Sequence, residues 1–221
     1  MVNFMSNPSK RLNLIKQQLR TGDVLNEKIL ALYDQIPRED FVEEEFKPFA
    51  YSDLQLPLAH HQRMLTPLEE GKILQALNLT GQEIVLEVGT GSAFFTALLS
   101  RLCKQVISID YYADFTTTAR QKLAAHCCTN VELHTLDACR GWVDKAPYDV
   151  MVFTGALESL HETHRLQLIP GGKLFAIIGK EPAMQGQLHR LDHQGVWQMD
   201  VLFETSIPPL INNLAPINFV F

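Results

Sequence analysis

Two glycines and two acidic side chains carry the chemistry that this sequence offers. Glu87-Val88-Gly89-Thr90-Gly91 ends an apolar run that begins at Val85 and leads into Ser92-Ala93-Phe94-Phe95. A buried strand that ends in a glycine turn and opens into a helix turns bare backbone N–H groups, and the positive end of that helix, toward a ligand. Asp110 closes the next apolar run, Val106-Ile107-Ser108-Ile109, where a carboxylate is placed to accept from ribose hydroxyls. The pairing points to an adenosine-containing cofactor at the carboxyl edge of a parallel sheet.

Spacing separates the cofactor classes that use such a turn. A dinucleotide site asks for G-x-G-x-x-G, whose third glycine lets helix and strand pack closely over the pyrophosphate. Gly89 and Gly91 fit, but the third position is the bulky Phe94. Glu87 beside the turn would also repel a pyrophosphate. S-adenosylmethionine carries an ammonium, a carboxylate and a sulfonium and no phosphate, so an acid near the turn is tolerable. The reading favours S-adenosylmethionine over a nicotinamide or flavin dinucleotide. The phosphate loop G-x-x-x-x-G-K-[ST] does not occur.

The elements that must position these residues follow from periodicity. Apolar runs at 83–88, 105–110, 131–136, 148–154 and 173–178 read as buried parallel strands. Helical spacing over 92–103, 113–126 and 157–168 supplies the intervening helices, and Pro170-Gly171-Gly172 supplies a turn. The fold class is therefore α/β: a doubly wound, mainly parallel, Rossmann-like sheet. Strands at 188–192 and 196–203, around a turn at His193-Gln194-Gly195, close it as an antiparallel hairpin. Upstream, 10–20 and 23–35 have helical spacing, 39–58 reads as irregular with one short extended piece, and Thr66-Pro67-Leu68-Glu69 has the form of a capping box. Residues 1–65 are expected to form a helical and irregular cap, and 66–221 the cofactor-binding domain.

With 221 residues, 46% hydrophobic and 20% charged, the chain can bury a substantial core. A net charge of −6 argues against a general nucleic-acid binder, and no apolar run is long enough to span a bilayer. Cys103, Cys127, Cys128 and Cys139 form no C-x-x-C pair, which fits reduced thiols and a cytoplasmic location. His126, Cys127 and Cys128 are consecutive and point about 100° apart on a helix, so no metal site is expected. His161 and His164 are expected on an exposed helix surface, and Trp142 and Trp197 in packing.

Several short blocks, in order, resemble the protein-L-isoaspartate O-methyltransferase family of class I S-adenosylmethionine-dependent methyltransferases. They are Pro37-Arg38-Glu39-Asp40-Phe41-Val42, Ala50-Tyr51-Ser52-Asp53, Leu56-Pro57-Leu58, the Glu87–Phe95 turn, Asp137-Ala138, Ala146-Pro147-Tyr148-Asp149, Val152-Phe153-Thr154-Gly155-Ala156 and Pro170-Gly171-Gly172-Lys173-Leu174. The resemblance implies methyl transfer to a carboxylate of damaged aspartyl residues in a protein or peptide, by a monomer or small homo-oligomer. It implies cofactor contacts at Glu87, Gly89, Thr90 and Gly91 around the methionine end. Asp110 would accept from the ribose hydroxyls, Asp137 and Ala138 would meet the adenine, and Tyr111 would be a further cofactor contact.

The acceptor side departs from the family pattern. A Gln-Thr-Ile-Ser-x-Pro segment is matched by Gln62-Arg63-Met64-Leu65-Thr66-Pro67, so Leu65 stands at the serine position and Arg63 at the threonine position. Arg63, Leu65 and Thr66 are the acceptor-side candidates, with Thr154-Gly155-Ala156 opposite. Arg63 is suited to pair with a carboxylate. A carboxylate acceptor needs no base, whereas an amine or phenol would, with His60 or His61 nearest in sequence. Another acceptor on the same scaffold, or a cofactor-binding regulatory protein, are the alternatives.

Overall fold

The apolar runs between residues 84 and 180 form five parallel strands in the computed structural model, which describes residues 8–192 and 196–213. They are β1 (Ile84–Val88), β2 (Gln105–Asp110), β3 (Val131–Thr135), β4 (Tyr148–Leu157) and β5 (Leu168–Lys180). β6 (Ala183–Leu191) and β7 (Trp197–Thr205) add antiparallel strands beyond β5. The sheet order is β3-β2-β1-β4-β5-β6-β7. Chain direction reverses its march at β1, which pairs with β2 on one side and β4 on the other. That switch point is where open α/β sheets place ligands. The register sets Val88 beside Ile109 and Asp110 beside Thr135, so the glycine turn, Asp110 and the loop after β3 share one edge.

Alternate strand residues feed two cores, as the period-2 geometry of a pleated strand requires. Val85, Val106, Val152 and Phe175 pack on one face. Leu86, Ile107, Met151 and Phe153 pack on the other. The first face is covered by the N-terminal elements. α1 (Pro8–Asn13) runs into a π-helical turn at Leu14–Leu19, followed by α2 (Glu27–Gln35) and α3 (Pro67–Leu77). Asn26 caps α2, accepting from the Lys28 N–H at 3.0 Å. Thr66 and Glu69 complete the expected capping box of α3. Leu14, Leu19, Ile29, Tyr33, Phe41 and Leu65 all join the same buried cluster as Val85 and Phe94.

α4 (Phe94–Ser100) and α5 (Ala113–Ala125) follow β1 and β2, and α6 (Glu162–Leu166) precedes β5. Three helices are shorter than their periodicity predicts. α2, read over 23–35, starts only at Glu27 after its Asn26 cap. The helix expected at 92–103 starts only at Phe94, because Ala93 sits at φ 68° and is spent on the turn. The helix expected at 157–168 shrinks to α6, since β4 runs on to Leu157 and β5 begins at Leu168. The far end of β4 stays extended because the segment after β7 pairs with it: the Ala156 N–H donates to the Pro208 carbonyl at 3.1 Å, and the Leu210 N–H to the Ala156 carbonyl at 2.9 Å. No local sequence signal contains that partner. His161 caps α6, and His164 is buried rather than exposed. The expected turn at 193–195 lies outside the described residues. Among those described, no helix is long and apolar enough to cross a membrane.

Candidate active site

The carboxyl ends of β1, β2, β3 and β4 open into a cavity of about 830 Å³, counting its mouth. Gly89 and Gly91 form its floor with φ of 102° and 49°, values that L side chains avoid. A Cβ on Gly89 would overlap Thr154 Oγ1, and one on Gly91 would lie 3.1 Å from Leu58 Cδ1. The turn is tied to both neighbouring strands. The Gly89 N–H donates to the Ile109 carbonyl at 2.8 Å, and Thr154 Oγ1 donates to the Gly89 carbonyl at 2.6 Å.

Glu87 was expected at the methionine end, yet it lies beneath the turn rather than on the cavity wall. Its Oε2 accepts from Thr96 Oγ1 and Ser108 Oγ, both at 2.6 Å. Since Ser108 spends its proton on Glu87, the Thr90 hydroxyl must donate to Ser108 across their 2.7 Å contact. Burial pushes the Glu87 carboxyl up to about 7, against the pull of the Ser108 and Thr96 hydroxyls. Glu87 therefore braces the turn through Thr90, which does line the cavity.

Asp110 and Tyr111 both line the cavity. Asp110 Oδ2 accepts from the Gly91 N–H at 2.9 Å and Oδ1 from the Tyr112 N–H at 3.0 Å. Burial raises its carboxyl, and the Gly91 and Tyr112 N–H groups oppose that rise. An ionised carboxylate offers about four lone-pair directions, so it retains acceptor capacity for ribose hydroxyls. Asp137 and Ala138 lie on the wall across from it. Asp137 Oδ1 accepts from the Cys139 N–H at 3.1 Å, and Oδ2 from the Asn212 amide at 2.7 Å. Burial works to raise the Asp137 carboxyl, but the Asn212 and Cys139 hydrogen bonds, together with the Arg140 charge, hold it below its ordinary value.

On the acceptor side, Arg63 and Leu65 reach the wall and Thr66 does not. Thr66 is committed to the capping box. Leu65 is buried, and its carbonyl accepts from Arg38 Nη2 at 2.7 Å. Arg38 is itself fully buried, paired with Glu70 and lying 5.0 Å from the Phe94 ring centroid. Burial pushes the Glu70 carboxyl up to about 8, with Arg38 pulling the other way. Thr154 and Gly155 line the opposite wall, while Ala156 is taken up by the backbone pairing described above. His60, a candidate base, is absent from the wall. Its imidazole stacks on Tyr112 at 3.8 Å and lies 2.9 Å from Asp114 Oδ2.

Sequence reasoning missed Glu70, and it missed the strap formed by Ile207, Pro208, Leu210 and Ile211 over the cavity. Glu70 is hidden inside a helix start that capping fully explains. The strap has no periodicity, and its Pro208-Pro209 pair reads only as a break. The wall suits S-adenosylmethionine: side-chain-free backbone at the turn, a carboxylate for the ribose, and Leu136, Ala138 and Ile109 as apolar surface for a base. Among the described residues no group of three or more His, Cys, Asp or Glu could hold a metal ion.

Comparison with known proteins agrees. The sequence model of the protein-L-isoaspartate(D-aspartate) O-methyltransferase family matches residues 9–214. A protein-L-isoaspartate O-methyltransferase of Rhodospirillum rubrum is 33% identical over 214 residues, covering 96% of this chain and 97% of that one. One from Aliivibrio fischeri is 34% identical, covering 92% and 97%. A solved protein-L-isoaspartate O-methyltransferase superposes with a TM-score of 0.80 at 22% identity, over 92% of this chain and 67% of that chain. A Plasmodium falciparum structure described under the same activity, in complex with S-adenosyl-L-homocysteine, gives a TM-score of 0.73 at 16% identity, over 95% and 100%. A glycine turn joined to Asp110, on a chain matched from end to end of the described region, leads to one conclusion: this protein belongs to the protein-L-isoaspartate(D-aspartate) O-methyltransferase family of S-adenosylmethionine-dependent enzymes.

Proposed function

We propose that the protein transfers a methyl group to the carboxylate of an isoaspartyl residue in a protein or peptide, with the cofactor seated on Gly89, Thr90, Gly91, Asp110, Tyr111, Asp137 and Ala138. The observation that carries the reading is Arg63. Among the described residues lining the cavity it is the one cation, and it stands on the acceptor side beside Leu65. A guanidinium offers paired donors matched to a carboxylate. When bound, S-adenosylmethionine supplies an electrophilic methyl that a carboxylate oxygen takes directly, leaving S-adenosylhomocysteine. The acceptor is already ionised at neutral pH, since such groups titrate near 4, so the chain need not supply a base. Its own contribution is orientation, a source of up to roughly 7–11 kcal/mol in well-aligned reactions. Arg63 would fix the acceptor, buried Leu65 would exclude water, and Thr154 would hold the glycine turn open. The free thiols at Cys103, Cys127, Cys128 and Cys139 suit a reducing compartment, in line with a cytoplasmic enzyme.

Leu65 favours a second reading, in which the same scaffold methylates another acceptor. Labelled methyl transfer from S-adenosylmethionine to an isoaspartyl peptide tests both. A base-labile label, with Arg63→Ala raising KM, supports the proposal. Binding of S-adenosylhomocysteine without label in the peptide overturns it, and label appearing only in Leu65→Ser would show that the serine position decides the acceptor.

A further inference from the structure

The loop after β3 carries the base-facing wall of the cavity through Leu136, Asp137, Ala138 and Cys139. Little in its own sequence fixes it. The Gly141 N–H donates to the Ala138 carbonyl at 2.8 Å, closing a tight turn, and the Leu136 N–H donates to the Asp110 carbonyl at 3.1 Å. Asn212 holds Asp137 and accepts from the Cys139 thiol, and further anchors come from α6 and its flanks. The Gln167 amide donates to the Arg140 carbonyl at 2.8 Å. His164, 2% exposed, lies 3.0 Å from the Cys139 carbonyl through Nε2. A carbonyl can only accept, so Nε2 carries the proton. The other ring nitrogen, Nδ1, accepts from the His161 backbone N–H at 3.0 Å. The two bonds leave one tautomer: neutral, with its proton on Nε2. The Phe153 ring closes the third side, edge-on with centroids 5.0 Å apart.

We infer that His164 is a positioning residue for the cofactor: as the neutral Nε2–H tautomer it holds the base-facing loop at Cys139, and its protonation releases that loop. Adding a proton to Nδ1 would set it against the His161 N–H, a donor facing a donor. The Nε2–H remains a donor to the Cys139 carbonyl, but the cap of α6 fails, and the short helix that seats the ring against the loop is no longer held in place. The charged and titratable groups around the ring act in the same direction. Burial lowers the readiness of His164 to protonate, and His161 and the Arg140 guanidinium add to this, while the Cys139 carbonyl opposes it. Glu162 and Arg165 lie on the same helix and pair with each other at 3.7 Å. A neutral ring is therefore the resting state, and loss of grip sets in only below the ordinary imidazole range. His164 touches no reacting atom; it acts through the loop.

The inference rests on the proposed seating of the cofactor in this cavity. Calorimetric titration with S-adenosylhomocysteine, from pH 7.5 down to 5.0, separates the two. Wild-type protein that binds nothing at pH 7.5 sinks the seating itself. In His164→Gln the amide nitrogen reaches the place of Nε2 and cannot titrate. In His164→Asn the side chain is too short to reach Cys139. The expected result is affinity within about threefold of wild type for H164Q and about tenfold weaker for H164N at pH 7.5. On acidification wild type loses about tenfold more than H164Q. Asp110, raised by its own burial, titrates in both proteins, so the difference between the curves belongs to His164. Superimposable wild-type and H164Q curves, or H164N binding as tightly as wild type, overturn the inference. The pH comparison stands even where H164N folds poorly, because it needs only wild type and H164Q.

Discussion

The cofactor end of the cavity is made of strand termini and backbone, whereas the acceptor end is made of side chains on a loop. At the first, Gly89, Gly91 and Asp110 are locked to β1, β2 and each other by hydrogen bonds of 2.8–2.9 Å. At the second, Arg38, buried and paired with Glu70, grips the Leu65 carbonyl, and Arg63 lies on a short segment paired through its backbone with residues 56–58. A site written in backbone tolerates few substitutions, because the sheet itself would have to move. A loop that presents side chains rather than backbone can exchange the groups it offers, and Leu65 occupies the position where the family pattern has a hydroxyl. The cofactor chemistry is in this sense the rigid half and the acceptor choice the adjustable one.

That contrast can be broken at several points. The largest effect is expected from Glu70→Ala, which strands the Arg38 guanidinium in the core. Losing one partner of a buried pair costs about 3–5 kcal/mol, measurable by urea unfolding. A double change to Arg38→Met with Glu70→Leu should recover much of it. If Glu70→Ala is silent, the acceptor loop has some other anchor. Next is Gly89→Ala, in which the new methyl meets Thr154 at a φ reserved for glycine. Strain of about 1–3 kcal/mol, with the overlap added, should weaken S-adenosylhomocysteine binding about a hundredfold while leaving most of the fold. Near-normal affinity would show that the turn does not cradle the cofactor. Asp110→Ala should weaken the same binding at least tenfold, the scale of a lost charge-assisted pair of hydrogen bonds. An unchanged calorimetric affinity would falsify the ribose assignment. Smallest is Arg63→Ala. It should raise KM for an isoaspartyl peptide about five- to tenfold and leave cofactor affinity alone, because Arg63 is exposed and sits at the acceptor end only. A fall in kcat with KM unchanged would move Arg63 from substrate capture to some other role.

Local pattern was enough to predict the sheet. β1, β2, β4 and β5 have runs of apolar residues that cannot be solvated, β3 alternates Val131 and Leu133 with polar residues, and the glycine turn and Asp110 fall at strand ends, where their types identify them. The N-cap of α3 was legible in the same way, because Thr66, Pro67 and Glu69 satisfy each other within four residues. Several of the misreadings share one cause, which is a partner distant in sequence. Residues 157–161 have helical spacing but remain extended or irregular beside the strap from 207–211. Glu87 has the type and place of a ligand-facing acid, yet Thr96 and Ser108 turn it inward. His164 has the spacing of an exposed helix face, but a helix of five residues wedged against Phe153 and Cys139 has no free side there.

By itself, then, the order of residues determined the strand sequence, the glycine turn and the kind of cofactor. Each depends on burial and backbone freedom that neighbours in the chain decide. Only tertiary structure determined which acids face the cavity, that Arg38 and Glu70 stand behind Leu65, and that a strap and a buried imidazole close the base-facing wall. Those are contacts between residues dozens of positions apart, and their free energy exists only once the sheet has brought them within hydrogen-bonding range.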